Sequence, residues 1–128
     1  MWSKGLKEKY PDLLSDLPYF ECNKGWEHVL DDLFRSIVRH EAHYLNKQDY
    51  DPVKVDQVKE KFGGLRVSIG GGIYQGDVID AYYEFIKEAE LKALKTCEQC
   101  GSITNVKIHS VRRWLTTLCE TCFKENEL

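Results

Sequence analysis

The sequence has no run of about 18 apolar residues, so nothing in it is expected to span a membrane. Its first ten residues, MWSKGLKEKY, contain no apolar h-region, which argues against a signal peptide. It also lacks an excess of positive charge. Lys and Arg total 18, Asp and Glu total 21, and the net charge is −3. That balance argues against broad nucleic-acid binding, whose affinity comes mainly from phosphate neutralisation, but leaves room for a local basic patch. Internal repeats and low-complexity segments are missing too. So are the common catalytic motifs. Gly70-Gly71-Gly72 and Gly76 are not followed by Gly-Lys-Ser/Thr, and position 75 is Gln, so neither a Walker loop nor G-x-G-x-x-G is formed. His40-Glu41-Ala42-His43 is one residue short of H-E-x-x-H and has no evident third ligand. Two helical histidines near a helix C-terminus are favourable there without any metal.

What is present is cysteine at metal-ligand spacing. Cys97-Glu98-Gln99-Cys100 and Cys119-Glu120-Thr121-Cys122 form a C-x2-C-x18-C-x2-C array. Two cysteines three apart can bend around one ion in a knuckle, and a second pair closes a tetrahedron. Gly101 follows the first pair, where the chain needs a residue tolerant of positive φ. One Zn2+ is the natural occupant, because four thiolates suit a soft tetrahedral ion. Two disulfides or four unrelated thiols are the competing readings. A four-thiolate site leaves zinc no open position, so it would be structural and its binding energy would be folding energy. Cys22 is the odd thiol. His28 is the nearest base in sequence with no third group evident, so a buried, unreactive cysteine is favoured. Five cysteines without a signal fit a reducing cytoplasm.

Hydrophobic periodicity predicts an α+β fold, with two long helices on a small β-sheet. A short helix could begin within residues 3–17, and Pro11 would open a second piece over 12–17. Trp26, Leu30, Leu33, Phe34, Ile37 and Val38 recur at three- and four-residue steps, predicting a helix over 24–46 capped by Asn23. Val53 and Val55 alternate with polar residues as a strand does, residues 59–62 read as one helical turn, and Leu65, Val67 and Ile69 read as a second strand. Asp77 would cap a helix over 78–95, with Ile79, Tyr82, Tyr83, Ile86, Ala89, Ala93 and Leu94 on its apolar side. Residues 105–110 and 113–118 suggest a hairpin turning near Val111-Arg112, followed by a short helix over 120–126. Knuckle, hairpin and a C-x2-C at a helix start are the layout of a treble-clef zinc finger. The chain therefore divides into an α+β body, 1–96, and a zinc-binding segment, 97–128.

Four stretches occur together in a known order: Cys22-Asn23-Lys24-Gly25-Trp26, then Val58-Lys59-Glu60-Lys61-Phe62-Gly63-Gly64-Leu65-Arg66, then Thr96-Cys97-Glu98-Gln99-Cys100-Gly101, and Trp114-Leu115-Thr116-Thr117-Leu118-Cys119. Through them the chain resembles a family of small uncharacterised proteins from bacteriophages and prophages, over roughly residues 10–123. Many members end the metal set with histidine where this chain has Cys122. The resemblance implies an accessory protein of a mobile element acting in a bacterial cytoplasm, and it carries over no catalytic residues.

Two groups of cations are candidate contact sites. Lys59, Lys61 and Arg66 flank the Phe-Gly-Gly turn, and either bind an acidic partner or pair with Glu60 and its neighbours. Lys107, Arg112, Arg113 and Trp114, with His109, form a basic-aromatic patch on the hairpin. His109 is also a spare metal ligand. The expected function is a non-enzymatic, zinc-stabilised interaction module that modulates a host protein. The alternatives are a nucleic-acid-binding regulator using the hairpin, and a metal-dependent hydrolase built on His40 and His43. The chain would be a monomer or a homodimer, the latter through an exposed Trp2 or the tyrosine-rich helix.

Overall fold

The computed structural model describes residues 2–44, 52–70 and 77–126. The expected polar connection after the first long helix lies mostly outside these residues, at 45–51, and so does most of the glycine-rich stretch, at 71–76.

Helix α1 (Ser3–Lys9) is short and buries only Leu6. Residues 12–16 are turns rather than the expected helical piece over 12–17. Hydrogen bonds from Leu14 to Tyr10 and from Leu17 to Leu14 wind them so that Leu13, Leu14 and Leu17 all face the core. Trp2 is half-buried against Phe20, with ring centroids 5.1 Å apart, and is not the exposed aromatic the sequence suggested.

A 3-10 turn (Lys24–Trp26) leads into α2 (Glu27–Tyr44). Asn23 makes no side-chain cap bond; its backbone carbonyl accepts from Trp26 instead. Trp26, Val29, Leu30, Leu33, Phe34 and Ile37 are buried, a stripe of three- and four-residue steps that packs on the core. Val38 falls off that stripe and is exposed.

Strands β1 (Lys54–Lys61) and β2 (Gly64–Gly70) form an antiparallel hairpin. Residues 59–61 are strand, where the sequence suggested a helical turn, because they pair with Arg66, Leu65 and Gly64 of β2; β1 shifts register earlier, between Val55 and Gln57. The irregularity inserts a residue and lets both Val55 and Val58 face the core, although they are three apart. Glu21 pairs with this hairpin as a short bridge, donating to the Val58 carbonyl and accepting from Glu60.

Helix α3 (Asp77–Ala93) opens at the residue read as its cap. It buries Tyr82, Ile86, Ala89 and Ala93 and packs against α2 and β2. Tyr83 and Leu94, expected on the same stripe, are exposed. The remaining elements are β3 (Val106–Val111), β4 (Trp114–Cys119) and α4 (Glu120–Asn126). β3 and β4 pair antiparallel in a second two-stranded sheet. The fold thus mixes four α-helices with two small antiparallel sheets among the described residues. No described helix is long and apolar enough to cross a membrane.

Both hairpins turn through left-handed backbone. Phe62 (φ 54°) and Gly63 (φ 84°) make the first turn, Arg112 (φ 52°) and Arg113 (φ 73°) the second. Such two-residue turns match the twist of the flanking strands but favour Asn-Gly. Phe and the two Arg therefore carry a backbone cost of roughly 1–2 kcal/mol each. The first turn abuts the second hairpin. Thr117 Oγ1 donates to the Gly63 carbonyl at 2.5 Å, and a Cβ on Gly63 would lie 3.3 Å from the Ile108 side chain.

Candidate metal centre

The knuckle forms where α3 runs out. Thr96 N–H bonds to Ala93, Cys97 N–H to Ser102, and Gly101 N–H to Cys97, with Gly101 at φ 85°. These bonds fold the first C-x2-C into a tight loop whose glycine takes the left-handed step. Cys119 closes β4, and Cys122 lies in the first turn of α4, its N–H 3.4 Å from Cys119 Sγ. Two elements distant in sequence thus present their cysteines to one point. The sulfurs of Cys97, Cys100, Cys119 and Cys122 all lie within 4.8 Å of one another, and Cys100 and Cys119 are 3.7 Å apart. Cys97, Cys119 and Cys122 are buried, and Cys100 is exposed. The four can hold one metal ion.

The electrostatics of the cluster differ from thiol to thiol. Burial pushes Cys97 up, but the backbone N–H groups of Cys119, Cys100 and Gln99 outweigh it and bring the thiol to about 7. Burial drives Cys122 well above the ordinary thiol range, and its sulfur neighbours push it further the same way. Four crowded sulfurs cannot all become thiolates without a cation among them.

The cluster has its own small core of Cys97, Leu118, Cys119 and Cys122, bordered by Val106, Val111 and Phe123. Backbone contacts tie it to the body. Gly25 N–H donates to the Glu98 carbonyl at 2.7 Å, and Trp26 Nε1 donates to the Thr96 carbonyl at 2.9 Å. A Cβ on Gly25 would overlap the carbonyl oxygens of Cys97 and Glu98. Glu98 N–H donates to Thr117, while its carboxylate accepts from Asn23 N–H at 3.1 Å. Glu98 is buried, and that burial pushes its carboxyl up to about 7, against the Asn23 bond and with help from Glu60. Sequence spacing marked the four cysteines but not Glu98 or Thr117, and the glycine turn at Gly63 was legible as a close approach without its partner. Their signal lies in pairings across more than fifty residues, which no local pattern encodes.

The other candidates are scattered. His109 stacks on Phe123 at 3.9 Å and is not a fifth member of the cysteine group. His40 packs edge-on against Tyr82 and Phe85, at 5.1 and 5.8 Å. Among the described residues no third ligand joins it and His43, and the cysteines are the only such group. Burial, with Glu98 adding to it, pushes the Cys22 thiol up to about 12, which disfavours the thiolate that a nucleophilic cysteine needs. Lys59, Lys61 and Arg66 lie on the solvent side of the first hairpin, with Lys59 opposite Arg66 and Lys61 opposite Gly64. They do not pair with Glu60, whose carboxylate instead accepts from Gly63 N–H at 2.7 Å. Lys107 is exposed on β3; Arg112, Arg113 and Trp114 are exposed at the tip of the second hairpin. Among the described residues, none of these cations is in an ion pair. Comparison with protein-family models, curated proteins and solved structures gives no match to the chain.

Proposed function

We propose that the chain is a non-enzymatic, zinc-stabilised interaction module, an accessory protein of phage or prophage type that binds and modulates a host protein. The convergence of four sulfurs carries this reading. Tetrahedral zinc with bonds of about 2.3 Å places its thiolates roughly 3.8 Å apart, close to the 3.7 Å between Cys100 and Cys119. All four positions are filled by protein, so the ion holds the fold and has no site for substrate or water. Knuckle, hairpin and the helix bearing Cys122 make up a treble-clef finger, stapled to the body through Gly25, Trp26 and Thr117. Native mass spectrometry tests the metal: one zinc per chain is expected, and a metal-free chain lighter by four hydrogens, with two disulfides, defeats it. Capture from bacterial lysate with metal-loaded and chelated protein tests the module. A partner retained only by the loaded form supports it, and recovery of no specific partner refutes it.

A second reading, a nucleic-acid-binding regulator, draws on Arg112, Arg113 and the highly exposed Trp114 at one hairpin tip. It requires binding that falls steeply with salt and is lost in Arg112→Ala/Arg113→Ala.

A further inference from the structure

The two hairpins bring together side chains that lie far apart in sequence. The Phe62-Gly63 turn rests on the face of the second hairpin that carries Ile108 and Leu115. A Cβ on Gly63 would meet the Ile108 side chain at 3.3 Å and the Leu115 backbone at 3.6 Å. In the register of that hairpin Ile108 is opposite Thr117 and Leu115 opposite Ser110, so Ile108, Thr117 and Leu115 share one face. Thr117 is buried there under Gly63, but the apolar groups around it are not covered. Phe62 is 70 % exposed, Ile108 48 % and Leu115 43 %. Three exposed apolar residues, carried by a turn and the hairpin face it rests on, flank one polar seam, and such grouped surface hydrophobics mark a contact surface.

Cations ring this patch. Lys61 Nζ lies 5.6 Å from the centre of the Phe62 ring. Arg112 and Arg113 make the adjacent turn, one residue pair beyond Leu115. None of the three is in an ion pair among the described residues. The nearest carboxylate in sequence, Glu60, is turned inward onto Gly63 N–H. The surface is therefore apolar at its centre and positive at its rim, on a chain that is acidic overall.

We propose that this junction docks an acidic, amphipathic segment of a partner protein, its apolar side chains seated on Phe62, Ile108 and Leu115 and its carboxylates facing Lys61, Arg112 and Arg113. The proposal rests on the interaction-module reading and gives it a surface. Aliphatic Ile108 and Leu115 favour a protein over a nucleic acid, because bases stack on aromatic faces and gain little from branched aliphatics. Acidic residues flanking apolar anchors at helical spacing supply both halves of the complement.

The turn chemistry supplies clean variants. Phe62→Asn creates Asn-Gly in the first turn, and Arg112→Asn/Arg113→Gly creates it in the second; each removes a contact group while installing the residues such turns prefer. The probe is a fluorescein-labelled peptide of about 18 residues, with leucine at helical i, i+3 and i+4 spacing and glutamate elsewhere. Anisotropy should show binding by the zinc-loaded chain that weakens with salt and falls about tenfold or more in each variant, with zinc content maintained and a melting temperature no lower than the parent's. A peptide that does not bind, or binds equally to parent and variants, overturns the proposal. Tighter binding of a labelled oligothymidylate, lost in the same variants, also overturns it and assigns the surface to nucleic acid. A parent chain that purifies without zinc defeats the metal reading separately, and the peptide result still judges the surface.

Discussion

Gly25 is one residue at which the body packs directly on the cysteine knuckle. Its hydrogen stands where a Cβ would strike two backbone carbonyls of the knuckle, and neither can move without disturbing Cys97. Gly25→Ala should therefore cost about 1–3 kcal/mol through overpacking, read as a lower urea midpoint at full zinc loading. Trp26, fully buried beside it, was legible in the sequence as a core residue. Its bond to the Thr96 carbonyl was not, because helical spacing reports which face is buried and not what the indole N–H reaches. Asp31 offers a test by pH. Burial raises its pKa, but the Tyr10 hydroxyl at 2.5 Å, Lys9 and Arg35 together hold it below its usual range. A depressed carboxylate contributes stability above its unfolded pKa near 4 and loses it as pH falls through the folded value. Tyr10 itself is pushed up to about 12, chiefly by burial and by Asp31, and stays protonated throughout. Tyr10→Phe should thus lower stability by about 1 kcal/mol at pH 7. The gap from the parent should narrow below about pH 4, followed by denaturant titration at each pH.

At the scale of elements, periodicity served where it ran unbroken. It pointed to helices in the regions of α2 and α3 and to the second hairpin, with α2 beginning three residues after the expected start and its expected end at 46 lying outside the described residues. It failed at β1, where residues 59–61, expected in a helical turn, are strand, and where the register shift between Val55 and Gln57 breaks the alternation. It failed again at residues 12–17, where leucines are buried by successive turns instead of a helix. The turn at Arg112-Arg113 exposes another blind spot. A sequence without glycine or asparagine gives no sign of a two-residue turn with positive φ, yet the structure places both arginines there. Replacing them with Asn-Gly should stabilise the fold by roughly 1–2 kcal/mol, the relief of one or both left-handed arginines. A melting temperature raised by several degrees in calorimetry would show it. An unchanged or lower value would mean that the guanidinium groups earn their place in the folded state.

At the scale of the molecule, two apolar clusters are joined by a seam of hydrogen bonds rather than by a shared core. Gly25 and Trp26 bind the knuckle from one side, and Gly63 binds Thr117 from the other. Cysteine spacing made the metal cluster legible, but nothing in it told where the cluster docks. Chelation should therefore reach beyond the cysteine cluster. Hydrogen exchange followed by mass spectrometry is expected to show lost protection at residues 22–26 and 62–65 as well as 97–122, while α1 stays protected. Loss confined to 97–122 would show that the body holds its shape alone.

The same seam has a consequence for biosynthesis. Gly25 and its partner Glu98 are separated by most of the polypeptide. At about 5–20 residues per second, a ribosome needs roughly 4–15 s to make the intervening stretch. During that interval Trp26 and the polar groups of its 3-10 turn emerge with no knuckle to receive them. The last sulfur donor, Cys122, follows later still. The nascent chain must therefore wait, half-assembled, until Cys122 has been made before the two halves can close on each other.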